Sequence, residues 1–362
     1  DKDLNITISV YKADDNIDQR PLIILYRKVE KTNIASVTRH EFGDPDKAFQ
    51  DAEHVVERTF TLQMVHQGYI EPHNATAVWD EEGRVKVWTS TQGAFPVRTS
   101  TAAILDMDVS KVKVTPLEIG GGFGGKIPIY LEPVCATLSK KSGRPVKAVM
   151  ERSNVFQASG PAPGGTITVK MGTDKNGKLI AADTSIKLEA GGFPGAAVGA
   201  AVQCVFAPYD IANTRIDGYD IVVNKPKSAA YRAPGSPQAA FASETVVNEL
   251  AELHGMDPVE FRLLNASKEG TRRADGVVFP VIGNEEVLEA AKASDHWNSE
   301  LGTPMKGRVR GRGVASGYWF NVGLKSTVNL TVNTDGVVAL VEGSTDIGGT
   351  RTSISMQAAE VL

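Results

Sequence analysis

The sequence predicts an α+β fold of mixed sheets with packed helices. Three observations predict it. Strand-length runs alternate apolar and polar residues and are closed by turn chemistry, helical stripes appear between those runs, and the two kinds of element follow one another without the strict alternation of a doubly wound sheet. A chain of 362 residues, 41% hydrophobic and 23% charged, has apolar material for a core at about two-domain size.

Residues 1–41 give two apolar runs, Ile6–Val10 and Leu22–Tyr26, around the polar stretch Asp14–Arg20, and read as a lead-in segment, a remnant of a preceding domain. Asp46–Val56 has helical spacing, with Phe49, Ala52, Val55 and Val56 on one side. Ala75–Trp79 and Arg84–Trp88 form a hairpin about Asp80–Gly83. Thr99–Asp106 reads as a helix and Lys111–Leu117 as a strand. Pro128–Ser142 reads as a helix closed by Gly143, and Pro145–Met150 as a short strand. Thr166–Met171 and Lys178–Leu188 pair across Asn176-Gly177. Ile221–Asn224 is a strand, Ala229–Gln238 a loop, and Ala239–His254 a helix with Phe241, Val246, Leu250 and Leu253 on its stripe and Glu244 opposite. Asp257-Pro258 starts another helix, an N-cap followed by Pro at the first helical position. Lys306–Arg312 is a basic connector. Val314–Phe320, Thr327–Val332 and Val337–Glu342 read as strands, and Ser353–Leu362 as a helix without an exit signal. The expected division is a lead-in at 1–41, a first domain at 42–300 and the start of a second, truncated domain at 301–362. A start without Met and the uncapped last helix read as a chain cut at both ends.

The net charge of -4 provides no basic field for nucleic acid or an anionic membrane. No run approaches the roughly 18 apolar residues of a membrane span, so a cytoplasmic protein is the expectation. Two cysteines, Cys135 and Cys204, are too few for an iron–sulfur cluster, which takes about four thiolates. Glycine is the outlier: its 35 residues gather at 120–125, 191–195, 311–317 and 343–349, where backbone must bend sharply or approach a ligand. A theme of strand, glycine loop and helix recurs at Val112–Ser142, Ile221–His254 and Val337–Leu362, and each loop is expected to deliver backbone N–H groups to an anion.

The loop Gly120-Gly121-Gly122-Phe123-Gly124-Gly125-Lys126-Ile127 admits several readings. A nucleotide P-loop would need a Ser or Thr hydroxyl where Ile127 stands. A dinucleotide fingerprint would use Gly120, Gly122, Gly125 and Glu151, but the preceding strand carries Lys111, Lys113 and Glu118, too polar for burial on both faces. A tight turn needing glycine for shape alone is the plain alternative. His66, Glu71 and His73 could suggest zinc, although their spacing is no recurring ligand pattern.

The motif Gly-Gly-Gly-Phe-Gly-Gly-Lys resembles the loop that molybdenum hydroxylases of the xanthine dehydrogenase and aldehyde oxidase family place beside their pterin cofactor. Other segments match the family in order: Glu71-Pro72-His73 with Trp79, Ser90-Thr91-Gln92, Gly143-Arg144-Pro145-Val146-Lys147, Ala230-Tyr231-Arg232-Ala233-Pro234-Gly235 with Gln238, Asp257-Pro258, and Asp346-Ile347-Gly348-Gly349-Thr350-Arg351-Thr352. The match runs from about Asn33 to the end, and implies the family's cofactor-binding fold and the incomplete large, molybdopterin-binding subunit of such an enzyme.

The resemblance implies a molybdenum–molybdopterin cofactor, plain or as the cytosine dinucleotide, whose metal takes no protein ligand. Gln92 would donate a hydrogen bond to an oxo group on molybdenum. Gly122, Phe123, Gly124 and Gly125 would lie against cofactor and substrate channel. Arg232 would set a fixed charge near metal or substrate, beside Ala233. Copper-containing carbon monoxide dehydrogenases place cysteine in that loop, which disfavours their chemistry here. Gly348, Gly349, Thr350 and Arg351 would touch the pterin or its phosphate, with Lys126, Ser236 and Gln238 as secondary contacts. Purine-oxidising members carry glutamate at the position of Ile127, so a hydroxypurine substrate is not expected. The implied reaction hydroxylates an aldehyde or N-heteroaromatic carbon with water. Electrons would leave through iron–sulfur centres and FAD on partner chains of an oligomeric complex. The general-base glutamate is expected beyond residue 362, so this polypeptide alone should be inactive. A non-catalytic scaffold that has lost its cofactor is the reading from another class.

Overall fold

The computed structural model describes residues 32–320 and 325–362; the runs Ile6–Val10 and Leu22–Tyr26 lie outside the described residues. The first elements are β1 (Ile34–Phe42), α1 (Pro45–Gln50), β2 (His54–Leu62), β3 (Asn74–Trp79), β4 (Val85–Thr89), α2 (Ala94–Ile104) and β5 (Val112–Pro116). Next come α3 (Glu132–Ser142), β6 (Val146–Val149), α4 (Arg152–Ala158), β7 (Gly165–Thr173), β8 (Leu179–Gly191), α5 (Val198–Cys204) and β9 (Thr214–Val222). The rest are α6 (Ser236–Leu253), α7 (Pro258–Asn265), α8 (Asn284–Ala293), α9 (Asp295–Asn298), β10 (Val328–Val332), β11 (Val338–Glu342) and α10 (Thr350–Val361). The α+β class holds, with two mixed sheets and helices packed on them.

The smaller mixed sheet has the order β5-β4-β3-β6 and the larger β1-β9-β8-β7-β2. Val85, Val87, Ala75, Ala77 and Val112 of the first sheet bury against Ala102 of α2 and Cys135 and Ala136 of α3. In the second, Ile167, Val169, Ile186, Leu188 and Ile216 pack under α5 and α6. Each sheet contains a parallel pair joined by a crossover helix, β4–α2–β5 and β8–α5–β9. Parallel pairing brings the carboxyl ends of both strands to one edge, Thr89 opposite Pro116 and Gly191 opposite Val222. The segments beyond those ends are Ser90–Gln92, the first glycine loop, residues 192–197 and the Ala229–Gly235 loop. Topology therefore collects the loops.

Several local expectations change. The helix expected over Asp46–Val56 stops at Gln50, and β2 begins at His54. Val56, Phe60 and Leu62 reach the core at even spacing while Val55 stays exposed, so the period is two and pairing with β7 decides. β1 runs across residue 41, its backbone bonded to β9, so residues 34–41 are part of the larger sheet. The helix expected at Thr99 starts at Ala94, and the strand expected from Ile221 spans Thr214–Val222. Val314–Phe320 joins no ladder: Ser316 N–H donates to Glu244 at 2.6 Å and Tyr318 C=O accepts from Ser236 Oγ at 2.7 Å. In α6 the buried stripe is Ala239, Ala242, Val246, Val247 and Leu250, with Phe241 and Leu253 exposed. Glu244 is buried because Arg262, itself fully buried, donates to it from Nε at 2.9 Å and Nη2 at 2.8 Å, and Tyr209 OH donates to its other oxygen. Such a carboxylate is tolerable inside only when paired and hydrogen-bonded.

Helices α4, α5 and α8 carried no sequence expectation. In α5, Val198 and Val202 sit over Gly218, where a Cβ would lie 2.6 Å from each.

Candidate functional site

Gln92 lies just past β4, beside the first glycine loop beyond β5. Its backbone N–H donates to Lys126 C=O at 3.0 Å, and its Oε1 accepts from Gly124 N–H at 2.8 Å and Lys126 N–H at 3.2 Å. Two backbone donors on one amide atom identify that atom as oxygen. Its Nε2, a double donor, makes no hydrogen bond among the described residues and is not sealed from solvent. Gly122 lacks a Cβ for a local reason: one would meet Gln92 Oε1 at 2.5 Å.

Within the same loop, Gly120 N–H donates to Glu71 Oε2, Gly125 N–H to Gly122 C=O and Ile127 N–H to Gly124 C=O. The three consecutive N–H groups of Gly121, Gly122 and Phe123 have no partner among the described residues. Phe123 holds φ +52° and its side chain is 45% exposed. A left-handed phenylalanine is strained and needs its surroundings to hold it.

The second loop is bonded to the first: Arg232 N–H donates to Phe123 C=O at 2.8 Å. A Cβ on Gly124 would lie 2.6 Å from Ala230 O, so the loops touch through a glycine. Ala233 repeats the anomaly with φ +54°. The exposed Arg232 guanidinium makes no ion pair or hydrogen bond among the described residues. The Ser236 hydroxyl is taken by Tyr318 C=O, and Gln238 Nε2 makes only a 3.4 Å contact to Pro163 C=O.

The third loop joins through Ile119 N–H to Asp346 C=O at 3.4 Å and Arg351 to Glu118 at 2.8 Å. The N–H groups of Gly348, Gly349 and Thr350 are not free, contrary to expectation. Asp346 Oδ1 accepts from Gly348 at 3.1 Å, Gly349 at 2.9 Å and Thr350 at 3.2 Å, so the chain's own carboxylate fills the nest at the start of α10. Those three donors hold the Asp346 carboxyl below its usual range.

Beneath the first loop lies a buried polar layer. Lys126 is not a surface contact: its fully buried ammonium pairs with Glu71 Oε2 at 2.7 Å. Burial pulls the lysine pKa down and Glu71 partly offsets it. Burial would raise Glu71, but Lys126, Gly120 N–H and Asn74 together hold it low. His73 Nε2 bonds Tyr69 OH at 2.6 Å and His66 Nε2 bonds Ser159 Oγ at 2.7 Å, so both histidines have structural partners. Burial, then the nearby Lys126 and His66 charges, lowers the His73 pKa to about 4. The fingerprint geometry of a dinucleotide site is not met: β5 is an edge strand, and α3 starts only at Glu132. Gln67 and Tyr69, which underlie the loops, carried no sequence expectation; the one available signal was their position immediately before Glu71-Pro72-His73.

The profile of a family described as "Molybdopterin cofactor-binding domain" matches residues 26–266. The chain is 35% identical, over 72% of its length, to the nicotinate dehydrogenase large molybdopterin subunit of Eubacterium barkeri, of which it spans 62%. It is 32% identical, over 88% of its length, to the aldehyde oxidoreductase molybdenum-binding subunit PaoC of Escherichia coli, of which it spans 44%. In structure it is similar to the aldehyde oxidoreductase of Desulfovibrio desulfuricans, with a TM-score of 0.76 and 25% identity across 85% of this chain and 35% of that one.

Proposed function

Because the chain belongs to the molybdopterin cofactor-binding family of the molybdenum hydroxylases, we propose that it is part of the catalytic subunit of an enzyme that hydroxylates an activated carbon with water. The observation that carries this reading is Gln92. Its Oε1 is held by two loop N–H groups, and among the described residues its neutral double donor Nε2, three backbone N–H groups beside it and the Arg232 guanidinium have no partner. That donor set fits an anionic, oxygen-rich guest.

Bound molybdenum supplies Lewis acidity toward water and accepts the electrons of the oxidation. The chain's own residues position and polarise. Gln92, its Oε1 fixed by the Gly124 and Lys126 N–H groups, would hold the group with a pre-oriented Nε2 donor. Gly122, Phe123, Gly124 and Gly125 bring backbone and one phenyl wall against the guest. Arg232, beside Ala233, offers charge to substrate or pterin oxygens. Gly348, Gly349 and Thr350 line the third loop's side with N–H groups that Asp346 already occupies, and Arg351, paired with Glu118, lies beside them.

The substrate class is an aldehyde or an N-heteroaromatic compound, in keeping with the nicotinate and aldehyde chemistry named for the two relatives. Aliphatic Ile127, directly after the first loop, offers no acceptor for a hydroxypurine. Iron–sulfur and FAD subunits of a cytoplasmic, oligomeric complex take the electrons onward, and the pterin is plain or the cytosine dinucleotide. Among the described residues no helix is long and apolar enough to cross a membrane. Metal analysis and fluorescence of released pterin, on the full-length protein from its native host, test the proposal. Stoichiometric molybdenum supports it, whereas a folded protein without molybdenum or pterin is the scaffold instead.

A further inference from the structure

The first two loops rest on one short segment, His66 to Tyr69, to which the cofactor reading assigns no role. Tyr69 is buried under the first loop. A Cβ on Gly121 would meet its Cβ at 3.1 Å, and one on Gly125 would meet its Cε1 at 2.8 Å, so the side chain abuts the loop near both ends, its ring at Gly125. The ring cannot swing away. Its hydroxyl is held by His73 Nε2 at 2.6 Å and Ser159 Oγ at 3.2 Å, and Arg152 Nη1 donates to its carbonyl at 2.9 Å. Lys126 Nζ lies over the ring, 5.1 Å from its centroid.

Gln67 does the same for the second loop. Its Nε2 donates to Ala230 C=O at 2.8 Å and to Gly160 C=O at 3.0 Å, while its Oε1 is buried without a partner among the described residues. Gly125 abuts this side chain as well, with a Cβ placed 3.0 Å from Gln67 Cδ. One two-residue stride of backbone thus supports both loops at their point of contact.

We propose that Tyr69 and Gln67 are positioning residues that set the shape of the first loop and its spacing from the second, and so determine whether the site retains its cofactor. The proposal rests on the cofactor reading above. Tyr69 matters through its hydroxyl, which locks the ring, and Gln67 through its amide, which bridges to Ala230.

The test uses full-length enzyme from a host that makes the cofactor, comparing wild type, Tyr69→Phe, Gln67→Met and the distant core control Val169→Ala. Released pterin fluorescence is measured per folded chain, with folding followed by circular dichroism. Tyr69→Phe and Gln67→Met are expected to lose pterin about fivefold or more, the lower end of what an unpaired buried partner costs. Val169→Ala, with a comparable drop in melting temperature, keeps its full complement. Equal pterin in all four overturns the proposal and leaves the cofactor reading standing; wild type without pterin overturns the cofactor reading itself. Should Tyr69→Phe fail to fold, Gln67→Met decides by the same criterion.

Discussion

At the scale of single residues, Gln92 and His73 each carry a prediction that one substitution checks. Gln92→Glu keeps an acceptor for Gly124 and Lys126 N–H but replaces the free donor with a second acceptor. In the full-length enzyme, kcat is expected to fall about 100-fold or more, the scale of losing one preorganised donor, with the circular dichroism spectrum unchanged; an unaltered kcat would remove Gln92 from the proposed role. His73 makes a pH prediction. Its folded pKa of about 4 lies below its ordinary 6.5, so above pH 6.5 both states are neutral and stability is full. Between pH 6.5 and 4 only the unfolded chain takes up the proton, and stability falls by up to about 3 kcal/mol before levelling off. Urea titrations at pH 7 and 4.5 should show a smaller acid loss in His73→Gln than in wild type.

At the scale of elements, glycines with positive φ separate into two kinds. Gly143 closes α3 at φ +64° with nothing within 4 Å of an added Cβ, whereas Gly124 holds φ +102° with Ala230 O only 2.6 Å away. Gly143→Ala is expected to cost about 1 kcal/mol, the ordinary penalty of a left-handed alanine. Gly124→Ala adds a backbone clash and must push the first loop from the second, so its cost in a denaturant titration should exceed that of Gly143→Ala by at least about 1 kcal/mol. Equal costs would mean the two loops do not touch as described.

For the whole molecule, the buried Glu244 ties α6, α7, Tyr209 and the strap at Ser316 into one body. Removing one partner strands the other: Glu244→Ala leaves Arg262 as an uncompensated buried charge, an expected loss of about 3–5 kcal/mol. The pair replacement Glu244→Leu with Arg262→Met should be less damaging than Glu244→Ala alone, because neither charge is then buried. Unfolding curves that rank the double variant below the single one would contradict this account. The strap also ends at Tyr318, whose carbonyl accepts from Ser236 at the start of α6, so loosening Glu244 should raise proteolytic cleavage within residues 306–318.

Much of the fold was readable because its signals are local. Turn chemistry at Asn176-Gly177 and Asp80–Gly83 set two hairpins, Gly143 and Asp257-Pro258 set two helix ends, and the loop motifs named the family. Helix α5, the strand character of His54–Leu62 and the burial of Glu244 were not readable, since each depends on a partner far along the chain. The same holds for the site. Sequence alone determined which glycines, which glutamine and which arginine to examine. Only the tertiary structure decided which of them are open to a guest. It gave Lys126 to Glu71 and the N–H groups of Gly348, Gly349 and Thr350 to Asp346, while leaving Gln92 Nε2 and Arg232 without partners among the described residues. The physical reason is that a hydrogen-bonding group's availability depends on what else surrounds it in space, and no spacing along a chain records that.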